Sequence, residues 1–179
     1  MLKFRRITTL LSFLLINILA TSCGCGEKEE KERKALVAEE KKLTETLKKH
    51  FKPGFYKNID QDIKDHKGNK EKIKSAILFN KGLLTLLDLI ENGNSPNINN
   101  ISQTNKAYFA KVLLSIEDIE VPSNFDMSEP DAIHALMSKE NIVKVRSAIQ
   151  DSINLHENLE KQAELKDRSK ESNDKRAKK

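Results

Sequence analysis

Hydrophobic and polar positions divide the chain into an apolar leader, a charged stretch and a series of amphipathic segments. A basic head (Lys3, Arg5, Arg6) precedes an apolar run from Ile7 to Ala20, and the small residues Ala20, Thr21 and Ser22 lead into Cys23. The run is shorter than the ~20 residues a spanning helix needs, and no basic stop cluster follows it. The pattern predicts a cleaved secretion signal over residues 1–22. Glu27 to Lys34 is charged throughout with balanced sign. Glu27 with Lys31, Glu29 with Arg33 and Glu30 with Lys34 are spaced four apart in the order that supports a helix, so the stretch reads as a solvated helical stalk or a disordered tether.

Beyond it, Leu36, Leu43, Leu47 and Phe51 mark one face of a first helix, with Ala35, Val37 and Ala38 filling around it; Pro53-Gly54 ends it near Lys52. Phe55, Tyr56, Ile59 and Ile63 predict a second, short helix ended by Lys67-Gly68-Asn69. Ile73, Ile77, Leu84, Leu87 and Ile90 predict a third. Its end, Leu83 to Ile90, is apolar nearly all round and suits the middle of a bundle. The asparagine-rich stretch Glu91 to Asn100 is a loop. A fourth helix from about Gln103 presents Tyr108, Phe109, Val112, Leu113 and Ile116, and Val121-Pro122 closes it. Ser128-Glu129-Pro130-Asp131 has the cap, early proline and acids of a helix start. This fifth helix either breaks near Ser138 or runs on through the longest stripe in the chain: Ile142, Val145, Ile149, Ile153, His156, Leu159 and Ala163. Past Leu165 the apolar pattern stops. No internal repeat and no convincing strand is present. The expected fold is all-α: a single bundle of five or six helices over residues 35–165, with a flexible tether at 23–34 and a disordered basic tail at 166–179.

Composition agrees with helices, since tryptophan is absent and glycine and proline are scarce. About 157 residues follow the signal, enough for one domain with a core. The net charge of +5 changes meaning once divided. The signal carries three of those charges, which leaves +2. Residues 161–179 hold eight Lys or Arg against four Asp or Glu, so residues 23–160 carry −2. A mildly acidic body lacks the concentrated basic face that phosphate attraction requires, which argues against a nucleic-acid partner. Both cysteines lie at the leader, so the domain holds neither a disulfide nor a cysteine metal site.

Ala20-Thr21-Ser22-Cys23 supplies small side chains before a thiol that can accept a diacylglyceryl group, which makes Cys23 the expected lipidation residue and the membrane the expected partner through that lipid. Cys25 competes less well, with Ser22, Cys23 and Gly24 ahead of it. From Val112 to Ser138 there is no Lys or Arg but six acids: Glu117, Asp118, Glu120, Asp126, Glu129 and Asp131. They are either a solvated inter-helix loop or a face for a basic protein partner. Their spacing is not that of a calcium loop. Asp131 and His134 share a helix face but lack a third ligand, so no metal is expected there. His156, on the long stripe, reads as a hydrogen-bonded packing residue, and His50 and His66 as helix-end residues. No phosphate loop, nucleophile triad or paired carboxylate appears, so neither an enzyme nor a cofactor is expected.

The lipid-attachment motif Ala20-Thr21-Ser22-Cys23, the short charged tether, the Lys/Asn/Ile-rich helical body and the lysine-rich end together resemble the plasmid-type surface lipoproteins of Borrelia spirochaetes. That resemblance implies a small helical bundle displayed on the outer membrane and a host extracellular or serum protein as ligand, as in the decorin-binding and complement-regulator-binding families. The acidic body departs from the decorin-binding pattern, which places lysine patches within the helices. An envelope-maintenance lipoprotein facing the periplasm is the alternative expectation.

Overall fold

The computed structural model describes residues 27–92, 111–120 and 136–177. The leader with Cys23, the Asn-rich loop beyond Asn92, the expected start near Gln103, and Asp126, Glu129, Asp131 and His134 lie outside the described residues. Within them the fold is the all-α bundle the sequence predicts. Helix α1 covers residues 27–48. A 3-10 turn, Pro53–Phe55, leads into α2, Tyr56–His66, and α3 spans Lys70–Glu91. A short segment, α4, covers 111–115, and α5 spans Lys139–Ala177. None of the described helices is long and apolar enough to cross a membrane.

Among residues 27–92 and 136–177 the local signals end the elements as expected, with one exception; α4 stops at residue 115, before the expected Val121-Pro122 end, and Ile116, expected on its face, lies in an isolated bridge. Gly68 takes φ 82° between α2 and α3, a conformation glycine adopts without strain. Asn69 then caps α3, its side chain accepting from the Lys72 amide at 3.1 Å. Of the two expectations for the fifth helix, the break near Ser138 is the one observed: its hydroxyl accepts from the Asn141 amide at 3.2 Å and so starts α5 afresh. The exception is Phe51. Helix α1 stops at residue 48, and Phe51 lies in an extended segment bridged antiparallel to Ile116. The Lys52 amide donates to the Ser115 carbonyl at 2.9 Å and the Glu117 amide to the His50 carbonyl at 2.8 Å. Leaving the helix lets the Phe51 ring pack against two core clusters at once.

At 39 residues, or about 58 Å at 1.5 Å per residue, α5 is the axis of the bundle. All seven residues of its predicted stripe are buried, and so are Ala148, Leu155, Asn158 and Leu165 beside it. This buried face divides along the length of α5 into two clusters. Ile142, Val145, Ala148, Ile149 and Ile153 join Leu83, Leu87, Leu113, Ile116 and Ile119 in one cluster. Leu155, Leu159 and Ala163 join Leu47, Ile63, Ile73 and Ile77 in the other. Helix α3, expected at the centre, buries a single stripe and leaves Leu78 at 71% and Leu89 at 37% exposure. Its all-round apolar end outruns what its neighbours cover.

Both α1 and α3 run antiparallel to α5. Along α3 the pairs are Lys70–Asp167, Asn80–Ser152, Lys81–Glu157 and Asp88–Arg146. Along α1 they are Glu29–Ser169, Glu32–Arg168, Glu40–Gln162 and Glu39–Asn158. These contacts decide one open expectation and correct another. The charged stretch 27–34 is helical and continuous with α1, and the segment expected as a disordered tail continues α5 to Ala177. Antiparallel pairing of polar side chains gives both ends the partners that their missing apolar residues do not.

Two tests follow from this packing. Leu159→Ala, at 1% exposure in the native chain, is expected to cost about 2–5 kcal/mol in urea unfolding, whereas Leu78→Ala should stay within about 0.5 kcal/mol. The second is acid sensitivity of the charged helix ends. A hydrogen bond from Arg33 holds the Glu30 carboxyl at about 2, below its ordinary 4.5, and one from Lys70 lowers Asp167. Depressed carboxyls stabilise the folded form fully above their ordinary range and lose that contribution as pH falls through the folded value. Amide protection factors at 27–34 and 166–177, referred to the intrinsic rate at each pH, should therefore fall between pH 4.5 and 2 while those of the core amides of α5 stay high.

Candidate functional site

Apolar periodicity on α2 turns Ile59 and Ile63 into the core and leaves Asp62 and His66, one helical turn apart, on the flank facing α5. From α5, His156 reaches the same point between the core residues Leu155 and Leu159, at 3% exposure. One donor atom of each of Asp62, His66 and His156 lies within 4.8 Å of the others. The two imidazoles meet edge to face with centroids 5.0 Å apart.

Backbone carbonyls assign the tautomers, because a carbonyl can only accept. His156 Nδ1 donates to the Ser152 carbonyl at 2.7 Å, and His66 Nδ1 donates to the Asp62 carbonyl at 2.6 Å. Each neutral ring then carries its lone pair on Nε2. His156 Nε2 is buried and has no hydrogen-bond partner among the described residues. The nearest carboxylate oxygen, Asp62 Oδ2, stands 3.6 Å away, within range of a charge contact and beyond that of a hydrogen bond. Asp62 Oδ1 lies 3.2 Å from His66 Nδ1, so one half-exposed carboxylate spans both rings.

Asp62 and His156 also line a cavity of about 280 Å³ together with Phe51, Leu83, Asn80 and Ser152. The wall is mostly apolar. Its polar groups include the Asn80 amide, which donates to the Ser152 hydroxyl at 3.1 Å. Such a lining, apolar with a few polar groups and the three titratable side chains of Asp62, Lys111 and His156, has the chemistry of a small-ligand pocket.

The acidic segment builds a separate surface. Buried Ile116 and Ile119 pin the turn from both sides, and Glu117, Asp118 and Glu120 between and beside them are exposed. Asp118 takes φ 61°, which aspartate tolerates better than most residues, and its carbonyl accepts from Lys144 Nζ at 3.3 Å. Lys52 Nζ donates to the Leu114 carbonyl at 2.9 Å, capping the end of α4 with a cation. Among the described residues no cation pairs with the three carboxylates. Since the Glu117 amide bonds the His50 carbonyl, this rim sits at the C-terminal end of α1, about 33 Å from the residue 27 end at 1.5 Å per residue. The C-terminal end of α5, rich in Lys and Arg, lies at the opposite pole, beside Glu29 and Glu32.

Of the residues singled out from sequence, Glu117, Asp118 and Glu120 share one rim. His156 is the hydrogen-bonded packing residue expected of it, and His66 ends α2. Just past α1, His50 donates from Nε2 to Asp151 at 2.7 Å and ties α1 to α5. What sequence reasoning missed is the convergence of Asp62, His66 and His156. The four-residue spacing of Asp62 and His66 was the available signal; their register against α5 was not. Neither a family model, nor a curated protein, nor a solved structure matches this chain.

The orphaned nitrogen has an energetic consequence. In chelator-treated protein His156→Leu should raise stability by about 1 kcal/mol, because an unpaired buried acceptor costs roughly 1–3 kcal/mol while the Ser152 carbonyl keeps its helical amide. Urea unfolding of the two proteins measures the difference.

Proposed function

We propose that the chain is a lipoprotein anchored in the outer membrane through acylated Cys23, presenting its helical bundle at the cell surface as a binding module for a host extracellular or serum protein. The observation that carries this reading is polarity along α1: the helix begins four residues after Cys23, and the exposed rim of Glu117, Asp118 and Glu120 lies at its far end. An anchor at one pole leaves the other free to meet a partner. The partner's chemistry is a basic patch. A turn held by Ile116 and Ile119 loses little conformational entropy on docking, so its charges act chiefly by steering encounter.

One observation favours a second reading. The basic end of α5 lies beside Glu29 and Glu32, at the pole nearest in sequence to Cys23, where it could meet anionic lipid headgroups, and this suits an envelope lipoprotein facing the periplasm. Each Lys or Arg near such a surface contributes about 1 kcal/mol.

Three measurements test the proposal. Cys23→Ala should abolish palmitate incorporation; incorporation that persists or moves to Cys25 contradicts the anchor. Protease added to intact cells should digest the bundle, and protection points to the periplasmic alternative. With the partner captured from serum, neutralising Glu117, Asp118 and Glu120 together should slow association and flatten its salt dependence with no loss of helicity.

A further inference from the structure

We propose that Asp62, His66 and His156 form a binding site for a divalent first-row transition ion of the zinc type. Two imidazoles and one carboxylate are the donor set such ions select, whereas calcium and magnesium take oxygen ligands. The ligands come in the arrangement that makes a site: two from one helix at i and i+4, and a third from the helix packed across it.

An observation separate from the clustering points to a ligand. His156 Nε2 is buried without a hydrogen-bond partner among the described residues, at 3% exposure for the whole residue, and faces the Asp62 carboxylate. Its other nitrogen is already held by the Ser152 carbonyl, and His66 Nδ1 is held the same way by the Asp62 carbonyl. Metal-bound histidines are oriented by this device, in which the N–H is given to a carbonyl and the remaining lone pair is directed at the ion. Protein alone leaves that lone pair unused.

The dimensions are compatible. Tetrahedral ligands at about 2.0–2.1 Å from an ion stand about 3.3 Å from one another. Asp62 Oδ2 and His156 Nε2 are already 3.6 Å apart, and the whole set lies within 4.8 Å. The Asp62 side chain, 54% exposed, is free to close the difference. Three protein ligands leave a fourth position, and the cavity that Asp62 and His156 line gives water or a small ligand room to fill it.

The test uses the full chain in detergent, stripped with chelator, and Zn²⁺ as the probe. Calorimetric titration should show one saturable equivalent, and Co²⁺ should give the visible absorption of a tetrahedral site. With free Zn²⁺ near 100 times Kd, Tm should rise by roughly 5–10 °C. Asp62→Asn changes a half-exposed side chain and His66→Gln one that is 16% exposed, and both should retain native helicity; each should weaken Zn²⁺ binding by more than the about 10–100-fold that loss of an outer-shell partner costs. Failure of the wild-type chain to bind Zn²⁺ saturably overturns the proposal, as does undiminished binding by either variant.

Discussion

Everything in this bundle depends on covering α5. A helix of 39 residues with a wide apolar face has no stable position on a surface, because one neighbour cannot shield the whole of that face from water. Helix α3 runs along both clusters and, with α4 and the turn after it, closes the one around Val145 and Ile149. Leu47 of α1, Ile63 of α2 and Ile73 and Ile77 of α3 close the second around Leu155 and Leu159. Phe51 is the link between them. Its release from α1 into an extended bridge with Ile116 lets one ring pack on both clusters and brings the turn carrying the acidic rim under the same constraint.

Away from the two clusters, polar contacts set the register. Glu39 and Glu40 of α1 receive hydrogen bonds from Asn158 at 2.9 Å and Gln162 at 2.7 Å, and Lys67 reaches Glu40 at 2.9 Å. Asn158 is buried at 2% exposure, so a slip of α1 along α5 would leave its amide without partners. The same logic extends to Glu29 with Ser169 and Lys70 with Asp167, where exposed partners contribute little energy individually but specify which turns face each other. A bundle with so few apolar residues at one end is aligned there by complementarity of polar groups.

The histidine pair stands out against this background of satisfied groups. Asn158, Asn80, Gln162 and His50 all find partners, yet the buried Nε2 of His156 does not, although the carboxylate of Asp62 is close by. A residue that lowers the stability of the metal-free fold is most economically explained by a ligand that engages it. The metal proposal and the acidic rim concern different surfaces: one lies between α2 and α5 beside the cavity, the other beyond α4.

Periodicity in the sequence was enough for the helices. The Ile142 to Ala163 stripe, the Lys67-Gly68-Asn69 stop and the break at Ser138 are local properties, set by which side chains recur every three or four residues and by backbone conformations that glycine and capping residues favour. Sequence also picked out the acidic stretch that carries Glu117, Asp118 and Glu120 together with Asp126, Glu129 and Asp131. It could not rank α5 above α3 as the central helix, since burial depends on what packs against a face as well as on how apolar the face is. Nor could it show that residues 166–177 continue α5, because their order is shared with partners more than a hundred positions away, such as Glu29. The meeting of Asp62, His66 and His156 belongs to the same class. A four-residue spacing is written in the chain, but the rotation and translation of α2 against α5 that complete the set arise only when the second core cluster packs.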